Sequence, residues 1–269
     1  MTEKKQILDK SKILRYLDPK NLLSLKEVII YEEIGSTNDA IKKEMQGFIS
    51  KSDVIAVLAE KQTAGRGTGG KKWFSPAYKN IYLSFSWNSA LAPSQLEGLS
   101  LAAAVEVTKA LEHSLALKFN LKWPNDIFLS GKKVGGILIE TTQSNKLTNI
   151  VIGIGLNVFM EKKNNVPIDQ DWTSISNYLE GKADRNKIIG TILNVLIDLR
   201  GKFEDRGFAP YKPLFEDLNL LKDQICEVDF HGKRLNGIVK GISDKGELVF
   251  ATKEKMFFLR SGQALIKKA

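Results

Sequence analysis

The sequence predicts an α+β fold, in which a mixed β-sheet flanked by helices is followed by a small C-terminal β-barrel. Residues 81–87 place Ile, Leu, Phe and Trp at alternate positions, and this period of two is typical of a strand. Residues 95–117 and 186–204 space their apolar side chains as one helix face does. Residues 121–158 contain short strands separated by turn residues, and such consecutive hairpins argue against a regular βαβ chain.

The other elements of the first part of the chain are short. Residues 28–31 and 54–59 are strand candidates, and Ser36 begins a predicted helix that runs to about residue 46. A glycine-rich loop follows the second of these strands. In the hairpin region we predict strands around position 121 and at residues 127–129, 134–140 and 150–158.

The tail of the chain changes character near residue 221. It contains four short apolar runs separated by turn residues, a spacing typical of a small barrel of roughly 50 residues. These runs are residues 225–230, 235–242, 248–251 and 256–259. We therefore predict one domain over residues 1–220 and a second over residues 221–269.

The composition is typical of a soluble protein. The chain has 269 residues, a net charge of +9 and one cysteine, Cys226, so neither an internal disulfide nor a metal site built on cysteines is possible. No apolar run reaches the ~20 residues of a membrane span, and the charged start lacks the apolar core of a signal sequence. These features predict a cytoplasmic protein. The scattered basic residues alone favour no function.

The segment from Gly65 to Pro76 is the most distinctive one. It contains G-x-G-x-x-G after a strand, but Pro76 stops the helix that a dinucleotide-binding loop requires. The H-R-D and D-F-G motifs that accompany a kinase glycine loop do not occur in the chain. What remains is a loop of amides and cations, which either wraps an anionic ligand or is a mobile surface loop.

Other segments also have both a structural and a functional interpretation. Ser36 and Asp39 are spaced as in a capping box, yet residues 36–38 also offer small hydrogen-bonding groups to a polar ligand. Residues 122–126, Lys-Trp-Pro-Asn-Asp, form either a plain turn or a site that holds a cation near a carboxylate. Glycines at 135–136 and at 153 and 155 fall within predicted strands, where they often mark the close approach of a ligand or another backbone. The two histidines lie far apart without a motif, so no metal site of protein side chains is predicted.

Together, and in this order, these segments resemble the biotin–protein ligase family. The family patterns G-R-G-x-x-G-[RK]-x-W-x-S-P, K-W-P-N-D, K-x-x-G-I-L-x-E and G-I-G-x-N correspond to residues 65–76, 122–126, 133–140 and 153–157. The resemblance runs from about Tyr31 to the C-terminus. It implies a biotinyl/lipoyl-ligase-like catalytic domain and an SH3-like C-terminal barrel.

The resemblance also implies roles for individual residues. The implied biotin-binding residues, which hold the ureido ring, close over the ligand or line its tunnel, are Ser36, Thr37, Asn38, Gln62, Gly65, Arg66, Gly67, Thr68, Lys133, Gly136 and Gly155. The implied ATP-binding residues are Arg66, Trp73, Lys122, Asn125, Lys133, Asn157 and Lys267, the last from the C-terminal domain. The implied catalytic residues are Arg66, Lys133 and Asp126.

The implied reaction uses ATP and Mg²⁺ to activate biotin as biotinyl-5′-AMP, and a lysine of a biotin carboxyl carrier protein then attacks the acyl carbon. Arg66, Lys133 and Mg²⁺ would stabilise the phosphate charge, and Asp126 would orient the acceptor amine or take its proton. No covalent enzyme intermediate is required, which agrees with the lack of a Ser-His or Cys-His motif. The expected partners are biotin, ATP and the carrier protein, with no membrane, and the expected assembly is a monomer or a homodimer.

Two features depart from the family pattern. Thr68 stands where many members have a second arginine. Only about thirty residues precede the resembling region, and these are too few for the winged helix-turn-helix with which some members repress biotin genes. We therefore expect no specific DNA binding, and a sequence-specific footprint at about 0.2 M salt would contradict this expectation.

Two alternatives belong to other functions. One is a lipoate–protein ligase, which shares the fold. The other is a basic nucleic-acid-binding module that uses the C-terminal barrel, with Phe257, Phe258 and the neighbouring lysines as its patch. The Lys-Trp-Pro-Asn-Asp turn and the complete glycine loop favour biotin over lipoate, and a barrel core is the simpler explanation of the aromatic patch.

Overall fold

The computed structural model confirms the α+β class. It describes residues 6–47, 53–144, 147–161, 168, 170–230, 233–262 and 264–266. The described strands form a seven-stranded sheet in the order β1-β2-β3-β7-β6-β5-β4, in which only β1 and β2 pair in parallel. These strands are β1 (Leu25–Ile34), β2 (Val54–Gln62), β3 (Ile81–Ser89), β4 (Phe119–Lys122), β5 (Asp126–Leu129), β6 (Lys132–Ser144) and β7 (Leu147–Leu156).

Helices cover both faces of this sheet. They are α1 (Lys10–Leu14), α2 (Pro19–Ser24), α3 (Thr37–Glu44), α4 (Leu99–Leu115), α5 (Arg185–Arg206) and α6 (Lys212–Leu218). The helices α4 and α5 contribute to the large apolar core on one face, whereas α3 packs a smaller cluster against β2 and β7 on the other. None of the helices in the described part of the chain is long and apolar enough to cross a membrane.

The alternation in β3 separates these two faces. Leu83, Phe85 and Trp87 belong to the large core, as their spacing predicts. Ser84 and Ser86, on the opposite face, are fully buried as well, because α3 covers that side of the strand. The polar face of β3 therefore lies inside the protein, where its hydroxyl groups require hydrogen-bonding partners.

The C-terminal part forms a second, antiparallel sheet, as a small β domain requires. Its strands are β8 (Ile225–Phe230), β9 (Lys233–Ile242), β10 (Leu248–Ala251), β11 (Met256–Leu259) and β12 (Ala264–Ile266), and their order is β11-β10-β9-β8-β12. Leu221, Cys226 and Phe250 belong to the same apolar core cluster as the main sheet. The domain boundary near residue 220 stays a prediction.

The two sheets also meet at a tight glycine contact. The indole N–H of Trp123 donates to the carbonyl of Gly246 at 3.0 Å. Gly246 has φ +79°, and a Cβ atom on it would lie 2.9 Å from the Cα of Gly98. Only glycine combines this left-handed backbone with so close an approach, so the turn before β10 fits against the start of α4.

A buried ion pair connects the start of the chain to the main sheet. The Arg185 guanidinium, at the beginning of α5, lies 2.6 Å from a carboxylate oxygen of Glu60 on β2, and both side chains are buried. The Arg185 guanidinium also donates to the backbone carbonyls of Asn80 and Gln6. The second Glu60 oxygen accepts from the Leu8 amide at 2.6 Å. The pair therefore fixes the segment before α1 against β2.

Candidate active site

A single cavity collects most of the predicted site residues. Its volume is about 560 Å³, within the range of roughly 300–1,000 Å³ that small-molecule sites occupy. The predicted residues that line it are Ser36, Thr37, Asn38, Gln62, Arg66, Gly67, Thr68, Trp73, Lys122, Asn125, Asp126, Lys133, Gly136, Gly155 and Asn157. They come from six separate segments of the chain, which the sheet brings together.

Of the predicted site residues that the structure describes, Gly65 is not among those that line this cavity. Gly65 is buried, and an added Cβ would be 2.7 Å from the Ser75 hydroxyl and 2.9 Å from the Trp73 carbonyl. Gly65 therefore allows the loop to pack closely on itself, and its role in ligand binding stays a prediction. Lys267 lies outside the described residues.

The polar end of the cavity is held by a hydrogen-bond network. Both the amide and the hydroxyl of Thr37 donate to the Gln62 carbonyl oxygen, at 2.9 and 3.1 Å. The Gln62 amide nitrogen donates to Ser75 at 3.2 Å. The Ser84 hydroxyl lies 2.6 Å from the Asn38 Oδ1 and 2.8 Å from the Thr37 hydroxyl. Each side chain is oriented before a ligand arrives, which lowers the entropic cost of binding.

The predicted capping box at Ser36 is only partly correct. Ser36 occupies the N-cap position of α3, with extended backbone angles, but its side chain makes no capping hydrogen bond. Its side chain is buried and lines the cavity instead. Asp39, the expected partner in the box, pairs with Arg66. The functional interpretation of residues 36–38 therefore agrees better with the geometry than the capping interpretation does.

The strand glycines make room for other side chains. A Cβ on Gly153 would lie 2.4 Å from the Asn38 Oδ1, and a Cβ on Gly155 would lie 2.5 Å from the Trp73 ring. The indole N–H of Trp73 is buried and has no hydrogen-bond acceptor among the described residues. Because an orphaned buried donor is costly, it marks a place where a ligand or water supplies the acceptor.

The cations gather around Asp126. The Lys133 ammonium lies 2.7 Å from the Asp126 carboxylate and 5.5 Å from the Trp73 ring centre. Burial lowers the pKa of Lys122, and the nearby charge of Lys133 lowers it further, whereas Asp126 opposes the shift. This side of the cavity therefore combines two amines with one carboxylate, an arrangement suited to an anionic ligand.

Arg66 is paired at a different place. Its two terminal nitrogens each lie 2.6 Å from an oxygen of Asp39, and one of them is 3.6 Å from Glu140. The hydrogen bonds from Arg66 hold the pKa of Asp39 below its usual range. Glu140 also accepts from the Asn38 amide at 2.6 Å, which connects this ion pair to the polar network.

Two predicted nucleotide contacts also support the cavity walls. The Asn125 amide donates to the Ile137 carbonyl at 2.7 Å, and the Asn157 amide donates to the Thr173 carbonyl at 3.1 Å. Such side chains hold the walls in place whether or not they touch a ligand. The structural interpretation of both asparagines therefore stands beside the functional one.

Several residues that contribute to the site were not predicted as site residues from the sequence. Asp39 and Glu140 hold Arg66, Ser84 completes the polar network, and Trp172 and Leu265 line the cavity. Glu140 ends the family pattern K-x-x-G-I-L-x-E, so its signal was present. Leu265 lies on β12, a strand too short to show a period. The described residues contain no group of three or more His, Cys, Asp or Glu side chains that can hold a metal ion.

This fold and this cavity define a member of the biotin and lipoate ligases, since the Biotin/lipoate A/B protein ligase family matches residues 31–157. The bifunctional ligase/repressor BirA of Escherichia coli (strain K12) is 33% identical over 245 residues, which are 91% of this chain and 73% of that protein. The biotin–[acetyl-CoA-carboxylase] ligase of Mycobacterium tuberculosis is 34% identical over 176 residues, which are 64% of this chain and 63% of that protein.

A solved structure gives the same result. The biotin protein ligase from Aquifex aeolicus, in complex with biotin and ATP, matches with a TM-score of 0.75 and 28% identity, covering 91% of this chain and all of that one. The chain belongs to the biotin protein ligase family.

Proposed function

We infer that the chain is an ATP-dependent ligase that activates biotin as biotinyl-5′-AMP and transfers it to a lysine of a carrier protein. The observation that carries this inference is the one cavity in which a polar network and an anion-binding cluster lie together. The Aquifex aeolicus relative, which was solved with biotin and ATP, supports the same pair of substrates. The ligase names of the relatives support a carboxylase carrier domain as the acceptor.

In the first step, a carboxylate oxygen of biotin attacks the α-phosphorus of ATP, and the bond to the bridging oxygen breaks as pyrophosphate leaves. We propose that Thr37, Asn38 and Gln62 bind the ureido ring, because their donors and acceptors are already oriented. Lys133 then contacts the carboxylate and the α-phosphate, where negative charge accumulates in the transition state. Lys133 then exchanges its ion-pair partner, Asp126, for the anionic ligand, so the charge of the ammonium group stays balanced.

Mg²⁺ is proposed to accompany the triphosphate. Among the described residues that line the cavity, Asp126 is the one carboxylate. This donor set fits Mg²⁺, which commonly takes one or two protein carboxylates and completes its shell with phosphate oxygens and water. When bound, the ion would neutralise charge on the phosphates.

In the second step, the neutral amine of the acceptor lysine attacks the acyl carbon, and AMP leaves. We propose that Asp126 orients this amine or takes its proton, because it lies in the cluster that holds the phosphate side of the ligand. The release of Lys133 in the first step would free Asp126 for this role. A cytoplasmic location and a monomeric or dimeric assembly are proposed with the function.

The relatives do not favour the lipoate alternative. The structure gives little support to a nucleic-acid-binding patch on the second sheet. Phe257 packs against the apolar core, and Lys255 lies 4.7 Å from its ring centre. Of the aromatic pair, only Phe258 is largely exposed.

Pyrophosphate release in the presence of ATP, Mg²⁺ and either biotin or lipoate tests the proposal directly. We expect release with biotin, together with biotin-dependent protection against heat. Pyrophosphate release with lipoate but not with biotin would overturn the assignment of biotin as the substrate. The absence of release with both acids would overturn the proposed reaction.

The residue at position 68 gives a further prediction. Thr68 is exposed and lines the cavity at the tight turn Thr68–Gly70. Threonine cannot make the bidentate phosphate contact that arginine makes, so we expect the loop to be held down less firmly over the adenylate. Thr68→Arg should slow the dissociation of labelled biotinyl-adenylate and reduce the labelling of bystander proteins. Equal or faster dissociation from the variant would show that the loop is held in some other way.

A further inference from the structure

Arg66 is bound at the edge of the cavity by two acidic side chains. Asp39 takes both terminal nitrogens of the guanidinium at 2.6 Å, and Glu140 lies 3.6 Å from one of them. The backbone of Arg66 is fixed separately, because it bridges to Lys72 and the neighbouring Gly67 amide donates to the Lys71 carbonyl at 2.7 Å. The side chain can therefore change partners while the loop backbone stays in place.

The two cations proposed to contact phosphate lie apart in this arrangement. The Lys133 ammonium is 2.7 Å from the Asp126 Oδ1, and that oxygen is 3.4 Å from the point where a Cβ of Gly136 would lie. Lys133 is therefore beside Gly136, whereas Arg66 is beside Glu140. These two positions on β6 are four residues apart, about 13 Å along an extended strand. While Arg66 is bonded to Asp39 and Glu140, its terminal nitrogens are directed at carboxylates and are not available to a phosphate group.

We propose that Asp39 and Glu140 hold Arg66 in a resting position and that the phosphates of ATP draw it out of this position to join Lys133. Asp39 is then a positioning residue that acts through Arg66 and touches no substrate. The inference rests on the proposed function and adds to it a competition, inside the site, between the acidic partners and the nucleotide for one guanidinium.

The competition sets the direction of the expected effect. Energy spent on separating Arg66 from Asp39 is subtracted from the binding energy of ATP, because only the difference between the two states appears as affinity. The pair is partly exposed to solvent, so its contribution is moderate. Weakening the resting position should therefore tighten the binding of ATP, a gain that damage to the fold would not produce.

The test is Asp39→Asn, with the affinity for ATP measured by calorimetry on the biotin-bound protein, using α,β-methylene-ATP so that no adenylate forms. We expect a two- to fivefold decrease in the Kd for ATP, which corresponds to about 0.4–1 kcal/mol at 1.4 kcal/mol per tenfold. The Kd for biotin should not change. Glu33→Gln is the matched control, because it removes the carboxylate of another exposed ion pair, with Lys61 at 2.8 Å, and should leave the Kd for ATP unaltered.

A double variant distinguishes two explanations for tighter ATP binding by Asp39→Asn: the release of Arg66 from its resting position, and the general loss of a negative charge near the cavity. In the Arg66→Ala background, Asp39→Asn should no longer improve ATP binding, since no guanidinium remains to be released. A gain of equal size in that background, or an unchanged or raised Kd for ATP in the single variant, would overturn the proposal. If the wild-type protein binds biotin and ATP but Asp39→Asn does not change the Kd for ATP, only the proposed resting position is overturned. Wild-type protein that binds neither ligand overturns the proposed function together with it.

Discussion

Lys133→Ala is expected to lower biotin-dependent pyrophosphate release by about tenfold or more. The variant loses a charge-assisted contact to the carboxylate and α-phosphate, and such contacts contribute ~1.5–3 kcal/mol. It also leaves the half-buried Asp126 carboxylate without the cation that lies 2.7 Å from it. The measurement is the rate of pyrophosphate release at saturating biotin and ATP.

The matched control for this variant is Lys132→Ala. Lys132 is the adjacent residue, and successive side chains point to opposite faces of a strand. Its removal should therefore leave the rate within a factor of two or so. Near-normal release by a folded Lys133→Ala protein would contradict the role proposed for this lysine.

Glu60→Gln is expected to destabilise the protein by about 3–5 kcal/mol, the range observed when one partner of a buried ion pair is removed. Arg185 and Glu60 are only 0% and 3% exposed, so the guanidinium would keep its charge in a buried position without a counter-charge. The same variant disturbs the acceptor of the Leu8 amide, and it should therefore loosen the segment before α1. Urea unfolding of both proteins measures the loss.

An exposed ion pair provides the comparison. Lys20 and Asp198 lie 3.0 Å apart on the surface, so Asp198→Asn should cost no more than about 1 kcal/mol. If Glu60→Gln cost as little as Asp198→Asn, the buried pair would not be what fixes the start of the chain to β2.

Local periodicity predicted the elements that are long enough to show it. The alternation in β3 and the helical spacing in α4 and α5 appear because each strand or helix presents one face to the large core. The helices α1 and α2 have five and six residues, and β12 has three, so a period cannot be read from them. They form because α1 and α2 pack on α5 and β1, and β12 pairs with β8.

The site was predictable where residue type and chain order coincide. Lys133 and Asp126 belong to recognisable segments, and the structure places them 2.7 Å apart. The pairing of Arg66 with Asp39 joins residues 27 positions apart. Neither the helix that carries the aspartate nor the loop that carries the arginine contains a local signal of the other. Such a contact depends on how α3 packs on the sheet, and this is a tertiary property.

The core shared by the two sheets bears on how the protein unfolds. Cys226, Val228 and Phe250 of the second sheet are fully buried in the same cluster as the residues beneath α4. Neither sheet can open without exposing apolar surface of the other, and the close contact of Gly98 with Gly246 adds to this coupling. Such coupling favours cooperative, all-or-none melting over two separate transitions. A thermal scan should therefore show one transition for the whole chain.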